Sequence, residues 1–392
     1  MANNNKHTGP NVPALRFPEF SGEWESCTLG DITNNFSRRN KDRIQYPMFS
    51  VTNNRGFVPQ SEQFEDREMV GEDIQAYKVI EKGDFAYNPA RINVGSIAKY
   101  EGNGKCMISS LYVCFNTIDR IDRDWFMHLL KTPKMNFYYN LNGEGGVRVY
   151  LFYPNFARIR SSYPSLAEQK KIAAMLSLID ERIATQSKII EELTTLRSAL
   201  IEKCAKQSGN FISLSDFLKE VEERSTIANQ HQVLSSTVKG IFSQKEYFNK
   251  DIASEDNKGY KVVRKGHVVL SPQNLWMGNI NYNDQFDIGI VSPSYKVFSI
   301  KEGFNPIFIA ALLQTKKALN EYMLASEQGA SIVRRNLNIE AFMAIKFRIP
   351  DARQQDSLSM AITAINAKLN NERCYLEQLT MQKSCLLENM FI

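Results

Sequence analysis

The sequence predicts an α/β (α+β) chain: two tandem, similar mixed α/β domains separated by two long helices packed as an antiparallel coiled coil, with a pseudo-twofold internal repeat. Three observations predict it. Ser165 to Ala205 carries an unbroken helical pattern, and Asp351 to Ile392 carries it again. The segments in front of the two helices repeat each other in register. The expected division is an N-terminal arm and first domain over 1–164, the central helix over 165–208, the second domain over 209–350 and the C-terminal helix over 351–392.

In chain order, residues 1–10 read as disordered, and Phe17, Phe20 and Trp24 among prolines read as an extended arm that docks on something. From Leu29 to Tyr163 short apolar, β-branched runs alternate with turns. The runs are 46–58, 77–89, 95–100 and 110–116, with a helix near Trp125 to Lys131. Gly102-Asn103-Gly104-Lys105 lacks the spacing of a phosphate-binding loop and reads as a hairpin turn.

Pro164 ends this segment, Ser165 stands at an N-cap and Glu168 follows at capping-box spacing. Apolar residues then fall at Ile172, Leu176, Ile179, Ile183, Ile190, Leu193 and Leu200, in steps of four and three, with polar breaks at Gln186 and Arg197. That is a heptad seam, on a helix of about 60 Å. After Pro350 the seam returns as Leu358, Ile362, Ile365, Leu369, Leu376, Leu379 and Leu386, with breaks at Glu372 and Lys383 in the same phases. The competing reading is two amphipathic helices, each buried on its own domain. The matching breaks favour two related helices packed on each other.

In front of each helix the chain repeats itself. Tyr77, Lys78, Val79, Lys82, Gly83 and Pro89 match Tyr260, Lys261, Val262, Lys265, Gly266 and Pro272. Gly95 and Ile97 match Gly278 and Ile280, and Leu129, Leu130 and Thr132 match Leu312, Leu313 and Thr315. Farther on, Gly143, Arg148 and Pro164 match Gly329, Arg334 and Pro350, after a slip of three residues. Two copies of one domain–helix unit favour pseudo-twofold packing. Antiparallel helices would then make a spacer with a reader at each tip.

At 392 residues there is room for two or three domains. No apolar run approaches a membrane span and no signal-peptide pattern opens the chain, so the expected location is the cytoplasm. The six cysteines are scattered, without a C-x-x-C pair, which argues against zinc and a disulfide framework. The four histidines have neither metal-ligand nor triad spacing, and no cofactor is expected. The net charge of +5 permits a polyanionic partner. The excess lies in the two domains, at about +3 each, and the long helices are near neutral.

The opening LRFPEFSGEWE…LGDI, the tandem domains, and the junctions YPSLAEQKKIAAMLSLIDERI and IPDARQQDSLSMAITAINAKL resemble the specificity subunits of type I restriction–modification systems. The resemblance covers essentially the whole chain. The second junction departs from the pattern: Arg353-Gln354-Gln355 stands for Ala167-Glu168-Gln169, and Asp356-Ser357 for Lys170-Lys171. The resemblance implies that each domain is a target recognition domain reading half of a bipartite site in double-stranded DNA. It implies that the helices set the gap and dock two modification (DNA adenine methyltransferase) subunits, that restriction (endonuclease/translocase) subunits join, and that this chain has no catalytic centre. Asn88-Pro89-Ala90-Arg91 lacks the second Pro and the aromatic of an amino-methyltransferase motif, so methyl transfer by this chain is not expected.

Arg and Lys read guanine edges, Asn and Gln read adenine edges, and phosphates accept any cation. The candidate DNA-binding residues of the first domain are therefore Arg38, Arg39, Lys41, Asn53, Asn54, Arg55, Asn88, Arg91, Asn93, Gly146 and Arg148. In the second domain they are Gln273, Asn274, Trp276, Ser331, Arg334, Arg335 and Asn336. For each loop the plainer reading is a solvated turn, and Trp276 is either a core anchor or a stacking platform. Arg148 and Arg334 suit a shared phosphate contact, whereas ARINV after Pro89 and QNLWM after Pro272 differ, as readers of different half-sites should. The alternative function is a non-enzymatic coiled-coil scaffold with two protein-binding heads.

Overall fold

The computed structural model describes residues 11–63, 74–145, 149–248, 257–328 and 335–392, apart from the side chains of 63, 204–208, 246, 248 and 328. The chain forms two compact units, 1–185 with 376–392, and 186–375.

In the first unit, strand Glu25–Thr28 pairs antiparallel with Arg160–Tyr163. A helical turn over Leu29–Ile32 follows, with Thr28 and Asp31 capping each other. The main sheet is antiparallel, in the order Thr33–Phe36, Val113–Thr117, Phe85–Tyr87, Ile97–Lys99. A hairpin, Phe49–Thr52 with Gly56–Pro59, and a strand pair, Lys78–Ile80 with Cys106–Ile108, complete the β structure named in this unit. Gly102–Lys105 thus links strands of two different sheets, which corrects the hairpin expected there. Helices Arg123–Leu130 and Pro133–Asn142 cover the sheet, and Trp125, Phe126, Phe85, Phe115 and Phe156 fill the core between.

The second unit rebuilds this scheme. Asn210–Ser213 pairs with Lys346–Ile349, and Ser213 and Asp216 cap a turn over Leu214–Phe217. The sheet runs Leu218–Glu220, Lys296–Ile300, His267–Leu270, Ile280–Tyr282. The hairpin is Leu234–Thr237 with Gly240–Ser243, the extra pair Lys261–Arg264 with Ile288–Val291. Helices Pro306–Leu312 and Lys316–Leu324 take the covering positions. Matching hydrogen bonds accompany matching elements. Thr132 and Thr315 cap the second covering helix, while Tyr139 and Tyr322 donate to Leu130 O (2.8 Å) and Leu313 O (3.0 Å).

The three-residue slip has a defined place. Glu144 pairs with Tyr150 with five residues in between, and Glu327 pairs with Asn336 with eight in between. The extra residues lie between those pairs, so Gly143 corresponds to Ser326 by strand register and not to Gly329.

The central helix spans Leu166–Ser208 and the C-terminal helix Ala352–Asn389. Within the first unit, Ile172, Leu176 and Ile179 share a core with Leu386, Met390 and Phe391. Within the second, Ile201 shares a core with Leu358 and Ile362, with Leu200 half-buried against it. Early residues of one helix meet late residues of the other in each unit, so the pairing is antiparallel. Leu369 and Leu379 are also buried; Ile183, Ile190, Leu193, Ile365 and Leu376 are half-buried. The polar breaks are half-buried or buried and face the opposite helix. Lys383 pairs with Asp180 in the first unit; Gln186 Nε2 donates to Glu372 O (3.0 Å) and Arg197 Nη1 to Asn366 Oδ1 (2.9 Å) in the second.

Each long helix is also joined to its domain by one buried carboxamide. Gln169 Oε1 accepts from Asp122 N (2.7 Å) and its Nε2 donates to Pro164 O (2.9 Å). Gln355 does the same with Asn305 N (2.8 Å) and Pro350 O (2.9 Å). Asp122 and Asn305 are the N-caps of the first covering helices. The degenerate second junction therefore keeps this contact.

The capping box expected at Ser165 is only half formed. Glu168 N donates to Ser165 Oγ (3.4 Å), but the carboxylate is 1 % exposed and held by both Arg16 Nε and Nη2 at 2.8 Å. Its hydrogen bond and charge raise the Arg16 pKa above its ordinary value. The arm docks here: Phe17 packs on the first core beneath Lys171, Trp24 packs edge-on to Trp125, and Leu15 N donates to Asn389 O (2.8 Å).

Candidate nucleic-acid interface

In the first unit, the hairpin carrying Asn53, Asn54 and Arg55, the loop 88–95 and the segment after helix Pro133–Asn142 come together. Ser96 Oγ donates to Val51 O (2.7 Å), Leu151 N to Pro89 O (3.0 Å), and Asn93 Nδ2 to Asn140 Oδ1 (3.0 Å). The approach is close enough to require glycine at position 95. Its φ is +99°, and a Cβ there would stand 3.2 Å from Asn53 O.

The second unit joins the same three pieces. Ser236 Oγ donates to Asn279 Oδ1 (2.8 Å) and Asn279 Nδ2 to Ser236 O (2.9 Å), tying hairpin to loop. Arg335 N donates to Gln273 O (3.3 Å), tying loop 271–278 to the hairpin of 326–337. Asn281 Nδ2 adds a bond to Thr237 O (2.8 Å) at the hairpin tip.

Of the candidates, Asn53, Asn54, Arg55, Arg91, Gln273 and Asn336 are exposed at these clusters, with Arg55 ion-paired to Glu62 at 2.8 Å. Asn88, Asn93, Asn274 and Trp276 are half-buried. Asn88 Oδ1 is already used, accepting from Ala90 N at 3.0 Å. Arg335 is turned inward, with Nε 2.9 Å from Ser326 Oγ and Nη2 2.8 Å from Ser326 O, so its guanidinium braces its own hairpin.

Arg38–Lys41 is bonded elsewhere, along strand Lys78–Ile80, through Val79 N to Arg38 O (2.7 Å) and Asn40 N to Tyr77 O (3.0 Å). Arg38 is held between Glu81 (2.9 Å) and Asp84. Lys105 and Arg38 hold the Glu81 carboxyl below its ordinary pKa; burial raises that of Asp84. Arg39 and Lys41 are exposed. Gly146, Arg148, Ser331 and Arg334 lie outside the described residues.

Two cations were overlooked in the sequence. Arg43, exposed with φ +53°, continues the same basic run. Lys239, exposed at the second hairpin tip, stands where the first unit has its Asn-Asn-Arg turn; only the repeat register points to it.

Both units also have a cleft between hairpin, first covering helix and long helix, of about 630 Å³ in the first and 570 Å³ in the second. In the first, His128 sits there, 8 % exposed, with Nε2 3.4 Å from Ser177 Oγ, and burial lowers its pKa to about 4. No cluster of His, Cys, Asp and Glu suited to a metal occurs among the described residues. No helix among them is long and apolar enough to cross a membrane.

Residues 21–195 match the family described as the type I restriction modification DNA specificity domain. A putative type I restriction enzyme MjaX specificity subunit from Methanocaldococcus jannaschii is 21 % identical, over 96 % of this chain and 95 % of that protein. The type I restriction–modification S subunit from M. genitalium superposes with a TM-score of 0.55 at 15 % identity, covering 97 % of this chain and 99 % of that one. A chain from a structural study of complex assembly and conformational transition in a type I system gives 0.52 at 12 %, covering 96 % and 98 %.

The fold is thus that of a protein with two tandem domains and long connecting helices, shared with these S subunits. Over residues 21–195 the chain is similar to the DNA specificity domain family of type I restriction–modification systems.

Proposed function

We propose that this chain reads a bipartite site in double-stranded DNA, one domain per half-site, for a type I restriction–modification complex. The supporting observation is a shared frame with unlike loops. Asn88–Val94 and Ser271–Met277 stand between equivalent strands and end in equivalent left-handed glycines, yet one offers Arg91 and Asn93, the other Gln273, Asn274 and Trp276. The exposed groups at the loop clusters carry base readout, and Arg39, Lys41 and Arg43 contact phosphate. The long helices set the gap and dock two modification subunits. Restriction subunits join this assembly in the cytoplasm, and the chain itself is non-catalytic.

The test is purification with active modification subunits, followed by mapping of adenine methylation on DNA. A bipartite methylated motif is expected, and exchange of residues 211–349 for another domain changes one half of it. Absence of methylation, with the modification subunits shown to be active, leaves the two-headed scaffold as the better reading.

A further inference from the structure

The heptad seams of the two long helices are regular enough to be ambiguous. Every step in both is four or three, so sliding one helix past the other by a heptad would set apolar residues opposite apolar residues again. The polar breaks remove that degeneracy. In the observed register Gln186 meets Glu372, Arg197 meets Asn366, and Lys383 meets Asp180. The last two are one contact made twice, since Asp180 and Asn366 are equivalent positions of the repeat, as are Arg197 and Lys383. Gln186 is 4 % exposed, so its carboxamide is not readily solvated if Glu372 is lost, while the Glu372 side chain, 13 % exposed, also pairs with Lys368 on its own helix. A slip of one sense would set Gln186 against Ile365 and Glu372 against Ile179. The other sense would set them against Leu379 and Leu193. Each slip would bury the Gln186 carboxamide against aliphatic side chains and take from Glu372 its donor on the opposite helix, leaving it only Lys368 of its own helix.

We infer that Gln186–Glu372, Arg197–Asn366 and Asp180–Lys383 are register pins: they select one of several near-equivalent alignments of the helices. One heptad corresponds to about 10 Å along the helix axis. If the helices set the gap between half-sites, which rests on the proposed function, one heptad corresponds to about three base pairs of DNA.

The experiment moves the pin. Spin labels are placed on the full chain at the exposed Glu181 and Glu377, through unnatural amino acids, and their distance distribution is measured. The parental chain is expected to give one narrow distance, and the reciprocal exchange Gln186→Glu with Glu372→Gln to keep it. Combining Gln186→Leu, Leu193→Gln, Arg197→Leu and Lys383→Leu offers Glu372 a partner one heptad away, and the distance is expected to lengthen. The milder pair Gln186→Leu with Glu372→Leu is expected to add a second, longer distance. The parental distance persisting alone in both of these variants would show that the domain cores set the register, and would overturn the inference. In the assembled complex, methylated sites are expected to acquire a gap altered by about three base pairs. If the parental complex methylates no bipartite site, the DNA reading fails, while the label distances still decide the register.

Discussion

The cleft of the first unit is lined by Lys99, Glu101, Asp124, His128, Lys131 and Asp180; the same positions in the second are Tyr282, Asp284, Ile307, Ala311, Gln314 and Asn366. The edge strands diverge as well. Arg38, Lys41 and Arg43 of the first unit have Glu223, Thr226 and Ala228 as counterparts in the second, while Arg39 and Arg224 correspond, each bridged to the equivalent lysine. In the second unit Lys261, 3 % exposed, lies 3.7 Å from Glu220 and 3.6 Å from Glu222, whereas its counterpart Lys78 donates to Tyr112 O (2.6 Å). Yet several bonds of the frame recur in both units, and these end on backbone atoms: Pro164 O and Pro350 O, Leu130 O and Leu313 O. A frame anchored on backbone leaves the facing side chains free to change. Under the proposed function, the two units would not grip phosphate by the same edge.

The sharpest break in the comparison is at Glu168, whose counterpart Gln354 carries no charge. Arg16→Ala strands a buried carboxylate and is expected to cost about 4 kcal/mol. Urea unfolding of the variant beside Glu168→Gln with Arg16→Ala, where the charge is also gone, checks this. Most of the loss should return in the double variant.

The second break is His128 against Ala311. Its folded pKa, about 4, lies below the ordinary value of 6.5. Between those values the unfolded chain binds a proton that the folded one does not. The resulting stability is therefore present above pH 6.5 and lost as pH falls toward 4, by about 3 kcal/mol. Unfolding curves at pH 7 and pH 4.5 should show the loss in the parental chain and less of it in His128→Gln.

A smaller effect should be the same in both units. Gln169→Ala and Gln355→Ala each leave an N-cap amide and a proline carbonyl without their partner, at about 2 kcal/mol apiece. Clearly unequal losses would show that the two junctions are not energetic equivalents. Smallest is the change at the edges. Neutralising Lys41 should reduce the salt slope of DNA binding by about one, whereas Glu223→Gln should raise affinity without lowering that slope.

The fold was legible because its strongest signals are periodic. Heptad steps and a repeat held over most of the chain survive substitutions at single positions. What the sequence concealed was partnership. Arg38 and Arg39 are neighbours in one basic run, but an extended backbone turns alternate side chains to opposite sides. One reaches Glu81 and Asp84 and the other is exposed, and those acids lie more than 40 residues away in the chain. The same applies to Glu168, which sits at capping-box spacing but belongs to Arg16, 152 residues earlier. Gln169 was visible only as part of a familiar junction; its role follows from Asp122 N and Pro164 O meeting in space.

The second unit is one continuous stretch, 186–375, while the first needs 376–392 to finish its core, since Leu386, Met390 and Phe391 pack among Ile172, Leu176 and Trp125. On a ribosome, the second unit therefore has its whole sequence before the first does. The first must hold Trp125 and its neighbours uncovered while some 190 residues are made, about 10–40 s at ordinary elongation rates. During that interval the nascent chain presents an apolar surface that its own last helix will later cover, and it is then that a chaperone or a premature partner has its opportunity.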